Sequence, residues 1–152
     1  MRYILILNLI WLLMLAWFNE AHAESSPAVY VNMEVIKQIE SSGNADAYNP
    51  TGNAYGWFQI TPICLEDFNK ANNEQYTVKE LFDPQINSRV AYWYFETRLP
   101  SFLKHFGITD SVHNRIIAYN AGIKRLMKGK LPKETKLYLL RYDRLCSNQI
   151  KT

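Results

Sequence analysis

The sequence of 152 residues holds little cysteine, glycine or proline, and these scarcities exclude several classes of protein. Two Cys are too few for a small protein stapled by disulfides. Six Gly and six Pro rule out collagen-like and low-complexity chains. Lys and Arg number 17 against 14 Asp and Glu, a net charge of only +3 without a long basic run, so no nucleic-acid partner is expected.

Several catalytic signatures are also missing. The chain has no Gly-x-Ser-x-Gly motif, which argues against a serine hydrolase of that type. It has no His-Glu-x-x-His and no Cys-x-x-Cys, the spacings that indicate zinc. His105 and His113 follow no ligand pattern, and surface or capping roles suit them better. The sequence therefore predicts neither a metal site nor a cofactor.

The N-terminus has the three parts of a secretory signal peptide. Arg2 supplies a positive start, residues 3–18 are apolar except for Asn8, and Ala21, His22 and Ala23 form a cleavage signal. We therefore expect a signal peptide over residues 1–23, a catalytic domain over residues 24–152 and export to the periplasm. An uncleaved N-terminal membrane anchor is the alternative.

Hydrophobic residues make up 48% of the chain, which is enough for one packed domain. Apolar spacing and capping signals predict helices over residues 28–40, 63–73, 84–99 and 132–146. A further helix is predicted to begin at a cap formed by Thr109 or Asp110 and to run to residue 119. Residues 41–56 read as a polar loop, and Pro100 is expected to end the long middle helix. No segment shows sustained strand alternation, so we predict a mostly α, compact single domain.

Glu40 breaks the pattern of the first of these helices. At about 100° per residue, it falls between Met33 and Ile36 on the apolar stripe. It also stands at the helix C-terminus, where the dipole disfavours an anion. Both effects raise a carboxyl pKa, as a general acid working near neutral pH requires. The alternative is a frayed last turn with Glu40 in water.

Five short motifs resemble those of one enzyme family and occur in its order along the chain. They are residues 39–44 (IESSGN), 56–62 (GWFQITP), 81–87 (LFDPQIN), 118–122 (AYNAG) and 131–138 (LPKETKLY). The sequence thereby resembles the soluble lytic transglycosylases. This resemblance implies the fold of goose-type lysozyme, with a substrate cleft and Glu40 as the catalytic residue.

The resemblance also implies the reaction. Such enzymes cleave the β-1,4 bond between N-acetylmuramic acid and N-acetylglucosamine in peptidoglycan and leave 1,6-anhydro ends. A single Glu serves as acid and then as base, without a cofactor. The expected partner is the glycan strand, and the expected role is local remodelling of the cell wall. Small exported relatives often accompany secretion, conjugation or pilus machines.

Six positions are expected to bind substrate, by resemblance or by departure from the family pattern. Gln59 is expected to hydrogen-bond the sugar or orient Glu40, Tyr119 to place its hydroxyl near Glu40 or the acetamido group, and Asn49 to donate to a sugar carbonyl. Asn120 is expected to bind an N-acetyl group, Phe58 to stack on a sugar face, and Tyr138 to reach the cleft from the last helix. Each has a purely structural alternative: Phe58 could only fill the core, and Tyr119 could be a core aromatic with a partnered hydroxyl.

A disulfide and two other functions stay open at this point. In an oxidising compartment Cys64 and Cys146 could pair and tie the loop after the Gln59 segment to the last helix. The same fold could carry a hydrolytic lysozyme with Asp46 as a base. The chain could also be a non-catalytic peptidoglycan-binding component of an envelope machine.

Overall fold

Short helices joined by tight turns build the protein, whose computed structural model describes residues 28–149. The helices are α1 (Met33–Ser41), α2 (Pro62–Asn72), α3 (Pro84–Trp93), α4 (Leu99–His105), α5 (Val112–Ala121), α6 (Ile123–Lys128) and α7 (Lys133–Gln149). A 3₁₀ turn (Val78–Phe82) precedes α3, and a π turn (Tyr94–Arg98) joins α3 to α4. The mostly α architecture is confirmed. The predicted signal peptide lies outside the described residues.

Polar side chains begin four of these helices. Asn32, Thr61, Asp83 and Ser111 each accept a hydrogen bond from a backbone N–H of the first turn. The helix expected from residue 28 therefore begins at Met33. The cap of α5 is Ser111, whereas Thr109 or Asp110 was expected. The Asp110 carboxylate is occupied elsewhere, because both of its oxygens accept hydrogen bonds of 2.8 Å from the Arg115 guanidinium.

Pro100 does not end the long middle helix, which corrects the sequence prediction. The chain stays helical to His105, with Pro100 in the first turn of α4. A proline inside a helix lacks the N–H and clashes with the carbonyl four residues earlier. Here the preceding turn is widened, since the Leu99 N–H bonds to the carbonyl of Tyr94, five residues back. The π turn makes room for the ring.

A small hairpin stands in the segment predicted to be a loop. Strands β1 (Tyr48–Asn49) and β2 (Ala54–Tyr55) pair antiparallel, with Tyr48 opposite Tyr55. Each strand has only two residues, too few for an alternation pattern to appear. The segment that follows the hairpin is anchored by Asn87, a fully buried residue of α3. Its amide accepts from the Phe58 N–H (2.9 Å) and donates to the carbonyls of Tyr55 (2.9 Å) and Leu81 (2.8 Å).

The core lies between α1 and the helices that follow the hairpin. Its fully buried members include Ile36, Phe58, Leu81, Val90, Phe95 and Ile116. Helix α7 closes this core, because the buried ring of Tyr142 packs against it and its hydroxyl accepts a hydrogen bond from the Asn32 N–H (2.8 Å). Between residues 28 and 149 there is no helix with the length and apolar character needed to cross a membrane.

The possible Cys64–Cys146 disulfide is not formed, and both thiols are free. Cys64 is buried in the first turn of α2, where it lines the cleft described below. Cys146 is partly buried on α7 and interacts with Tyr142 of its own helix. The two thiols thus have separate surroundings, which spacing along the chain could not reveal.

Candidate active site

Glu40 opens onto a cleft of about 360 Å³. The cleft is lined by Glu40, Asn49, Gly52, Ala54, Gln59, Thr61, Cys64, Tyr94, Tyr119 and Asn120. Glu40 stands at the end of α1, one residue before the last, and Ser42 then turns the chain with a left-handed φ of 55°. The helix is intact up to this point, which excludes the frayed turn with Glu40 in water. The cleft therefore holds a carboxylate at a helix C-terminus, as its place on the apolar stripe predicted.

The surroundings of Glu40 favour its protonated form. Burial raises the pKa of Glu40 to about 7, although two neighbours act in the opposite direction. Tyr138 of α7 donates a hydrogen bond of 2.7 Å from its hydroxyl to Oε1 of Glu40, and the positive charge of Arg141 lowers the pKa further. With a pKa near 7, the carboxyl group exchanges its proton readily around neutral pH.

Gln59 forms one wall of the cleft and is held by the hairpin segment. Its Nε2 donates to the carbonyls of Gly56 (3.0 Å) and Ala47 (3.3 Å). Its backbone adopts a left-handed φ of 50°, which is uncommon for a residue other than glycine. Strained backbone of this kind is often found at functional sites. The structure brings Gln59 into the cleft with Glu40.

Tyr119 lies in the same cleft, and its hydroxyl is engaged by the backbone. The hydroxyl donates a short hydrogen bond to the Phe58 carbonyl, and the ring packs against Phe95 with centroids 4.5 Å apart. Burial and the nearby charge of Glu40 raise the pKa of Tyr119 well above its usual value. Tyr119 is therefore a neutral wall of the cleft that ties α5 to the Gln59 segment.

Asn49 and Asn120 line the cleft from opposite parts of the chain. The Asn49 side chain accepts hydrogen bonds of 3.1 Å from the N–H groups of Thr51 and Gly52, which shape the hairpin turn. The Asn120 oxygen accepts from the hydroxyl of Thr135 (2.8 Å), a buried residue of α7. Both asparagines are exposed, so their side chains are accessible from the cleft.

Phe58 is not a sugar platform, which corrects one of the expected substrate contacts. Its side chain is only 1% exposed and packs edge-on against Tyr92 inside the core. A buried ring cannot stack on a sugar. Phe58 contributes through its backbone instead, because its carbonyl accepts from Tyr119 and its N–H donates to Asn87.

Two contributors to the site were not singled out from the sequence. Tyr94 lines the cleft, and the charge of Arg141 acts on Glu40. A signal existed for Tyr94, which belongs to a run of four consecutive aromatic residues that cannot all face the core. Within residues 28–149, no group of three or more His, Cys, Asp or Glu side chains is arranged to hold a metal ion.

Comparisons of the sequence with known proteins identify the family of this chain. Residues 17–138 match the family described as the transglycosylase SLT domain, a range that covers most of the chain. A search of curated proteins and a search of solved structures each found no match. The chain therefore belongs to the transglycosylase SLT domain family, which comprises lytic transglycosylases with a lysozyme-like fold that act on the glycan strands of peptidoglycan.

Proposed function

We propose that Glu40 alone carries both proton transfers of a lytic transglycosylase reaction that leaves 1,6-anhydromuramic ends. One observation supports this most directly: among the described residues that line the cleft Glu40 is the only carboxylate, and burial raises its pKa to about 7. Ordinary glycosidases use two carboxylates on either side of the scissile bond. A cleft with one protonated carboxyl group suits a reaction in which the same group acts twice.

In the first step Glu40 is the general acid. Its proton moves to the glycosidic oxygen as the bond from that oxygen to C1 breaks, and the muramic acid ring gains oxocarbenium character. The 2-acetamido group of the substrate can assist at C1. The Tyr138 hydroxyl, 2.7 Å from Oε1, then stabilises the carboxylate that the transfer leaves behind.

In the second step Glu40 is the base. The carboxylate takes the proton of the muramic acid 6-hydroxyl, and the bond from O6 to C1 closes the anhydro ring. No water is consumed, so the atoms balance within the glycan strand and the enzyme regains its protonated Glu40. The exposed amides of Asn49 and Asn120 are available to hydrogen-bond the N-acetyl groups along the cleft.

Hydrolysis is the competing reaction, with Asp46 as the base expected for it. Asp46 is exposed and does not belong to the lining of the cleft. Its backbone N–H bonds to the Asn44 side chain (3.0 Å) in the turn after α1. This position favours the anhydro reaction over a hydrolytic one, because a general base must reach the attacking water beside the sugar.

Mass analysis of the products from purified murein sacculi tests the proposal. We expect muropeptides with anhydro ends, each lighter by one water than the product of hydrolysis. Glu40→Gln is nearly isosteric but cannot release the proton, so turnover should fall by about 10²–10⁴-fold while binding to sacculi is retained. Reducing ends as the main product would overturn the proposed mechanism in favour of a lysozyme.

Glu34→Gln is the matched control for this experiment. Glu34 lies on the same helix, is exposed and pairs with Lys37 at 2.5 Å, away from the cleft. The same chemical change there should leave turnover unaltered. Equal loss of activity in the two variants would contradict a special role for Glu40.

Export of the domain and local remodelling of the wall complete the proposal. The N-terminal apolar run and cleavage signal support export to the compartment where peptidoglycan lies. Association with a secretion, conjugation or pilus machine stays a prediction from the resemblance.

A further inference from the structure

The charges of this protein are segregated along the chain. Residues 124–144 hold eight of the 17 Lys and Arg residues but only two of the 14 Asp and Glu residues. This stretch therefore carries a charge of +6, and the rest of the chain, with nine cations against twelve acids, carries −3. All eight cations are exposed, and within residues 28–149 none of them takes part in an ion pair. One of the two acids, Asp143, is already paired with His113 (2.9 Å).

Large apolar side chains stand exposed among these cations. Leu137 is 54% exposed and Leu140 is 65% exposed, both on α7. At about 100° per residue they lie within about 60° of Lys133 and Arg144 on the helix surface, with Lys136 at the edge of this sector. We call Lys133, Lys136, Leu137, Leu140 and Arg144 the basic face. Thr135 and Tyr142 point the opposite way, into the protein.

The basic face is separate from the catalytic cleft. Tyr138, which reaches Glu40, lies about 140° from Lys133 around α7. A ligand on the basic face would therefore leave Glu40 accessible. The face belongs to the outer surface of the domain and not to the wall of the cleft.

The N-terminal part of the chain meets the domain beside the same helix. The Asn32 N–H donates to the Tyr142 hydroxyl (2.8 Å), and Asn32 Nδ2 donates to Oε1 of Gln149 (2.8 Å). Residues 3–18, the longest apolar run of the sequence, precede this point by a short stretch. The described part of the chain thus enters the domain beside α7, the helix that carries the basic face.

We propose that the basic face docks on an anionic lipid bilayer. Its Lys and Arg residues match the charge of the headgroups, and Leu137 and Leu140 are placed to enter the boundary with the acyl chains. The carboxylates of peptidoglycan would match the cations equally well, but they offer nothing to exposed leucines. The combination of exposed leucines with a positive field therefore favours a lipid surface. This inference concerns where the domain rests and does not depend on the mechanism at Glu40.

Sedimentation of the full chain with vesicles tests the inference. The readout is the increase in binding from phosphatidylcholine vesicles to vesicles that also contain phosphatidylglycerol, because this increase isolates the contribution of headgroup charge. We expect a clear increase that declines as salt is added. Lys133→Glu with Lys136→Glu should reduce the increase by about tenfold or more, and Leu137→Ser with Leu140→Ser should weaken binding at every salt concentration.

Matched controls change the same properties elsewhere. Lys70→Glu with Lys79→Glu makes the same change in net charge at exposed sites of α2 and the 3₁₀ turn, and Ile63→Ser removes an apolar side chain that is 80% exposed. Both should bind vesicles as the wild type does. Vesicle binding that the α7 variants do not lower would overturn the inference. So would an unchanged binding to vesicles together with a loss of binding to sacculi, which would assign the basic face to murein.

Discussion

Glu40 is held between opposing influences that set when it carries a proton. Burial at the end of α1 raises its pKa, and the Tyr138 hydroxyl and the charge of Arg141 lower it, for a balance near 7. Both opposing groups lie on α7, one turn apart. Both groups stabilise the carboxylate form of Glu40 more than its protonated form, and the proposed mechanism passes through this carboxylate between its two proton transfers.

Tyr138→Phe should therefore change the pH profile as well as the rate. Loss of the donor raises the pKa of Glu40, so the decline in turnover on the alkaline side should move to higher pH. The rate at the optimum should fall by about 10–100-fold, because a hydrogen bond to a charged group is lost from the carboxylate. Turnover of sacculi measured across pH checks this.

Two further variants make the Tyr138 experiment specific. Arg141→Gln should shift the profile in the same direction but less, because the charge of Arg141 is the smaller of the two influences. Tyr142→Phe removes a hydroxyl of the same helix that faces Asn32 and should leave the profile in place. A profile that does not move in Tyr138→Phe would mean that the 2.7 Å contact does not tune Glu40.

At the scale of the elements, the segment from the hairpin to Gln59 depends on close contact between the Gly56 backbone and two neighbouring groups. Gly56 adopts a φ of 71° and lies against the Leu81 carbonyl and the Asn87 amide. Added there, a Cβ atom would stand 2.3 Å from the carbonyl oxygen and 2.4 Å from Asn87 Nδ2. The buried amide that holds this segment therefore requires glycine at position 56.

Gly56→Ala should be far more destabilising than Gly43→Ala. Gly43 has a similar φ of 78° but open space around a Cβ, so its cost is the backbone strain of about 1 kcal/mol. Gly56→Ala adds displacement of Leu81 or Asn87, for a total of about 3 kcal/mol or more. Urea unfolding of the two variants measures the difference. Similar losses of stability would show that the segment moves freely to admit a methyl group.

At the scale of the whole molecule, the buried carboxyl group of Glu40 costs stability. The pKa of Glu40 is about 4.5 when unfolded and about 7 when folded, so the folded state binds the proton more tightly. The contribution of Glu40 to the free energy of unfolding is therefore most favourable below pH 4.5, and it declines as the pH rises to about 7. The difference amounts to about 3 kcal/mol.

Glu40→Gln should recover that loss. Relative to the wild type, its free energy of unfolding should rise by about 3 kcal/mol from below pH 4.5 to above about pH 7, because the amide needs no proton. Glu34→Gln, at an exposed site, should show no such trend. Chemical unfolding at a series of pH values gives the comparison. A constant difference between Glu40→Gln and the wild type would contradict the raised pKa.

Local features of the sequence determined much of this protein. The position of Glu40 on an apolar stripe and the cap at Asp83 could each be read from a few neighbouring residues, and the five motifs from short segments in order along the chain. Such features depend on helical periodicity and on neighbouring backbone groups, which are set by adjacent sequence. They were sufficient to predict the helical class, the family and the central carboxylate.

Only the tertiary structure decided which distant residues meet. Tyr138 reaches Glu40 across 98 residues of sequence, and Tyr119 bonds to the Phe58 backbone across 61. The same packing buries the Phe58 ring and leaves Cys64 and Cys146 unpaired. The passage of the helix through Pro100 likewise depends on a widened turn and not on the proline alone. These outcomes follow from how the helices pack, because contacts between remote residues are chosen by the shape of the whole core and not by local propensity.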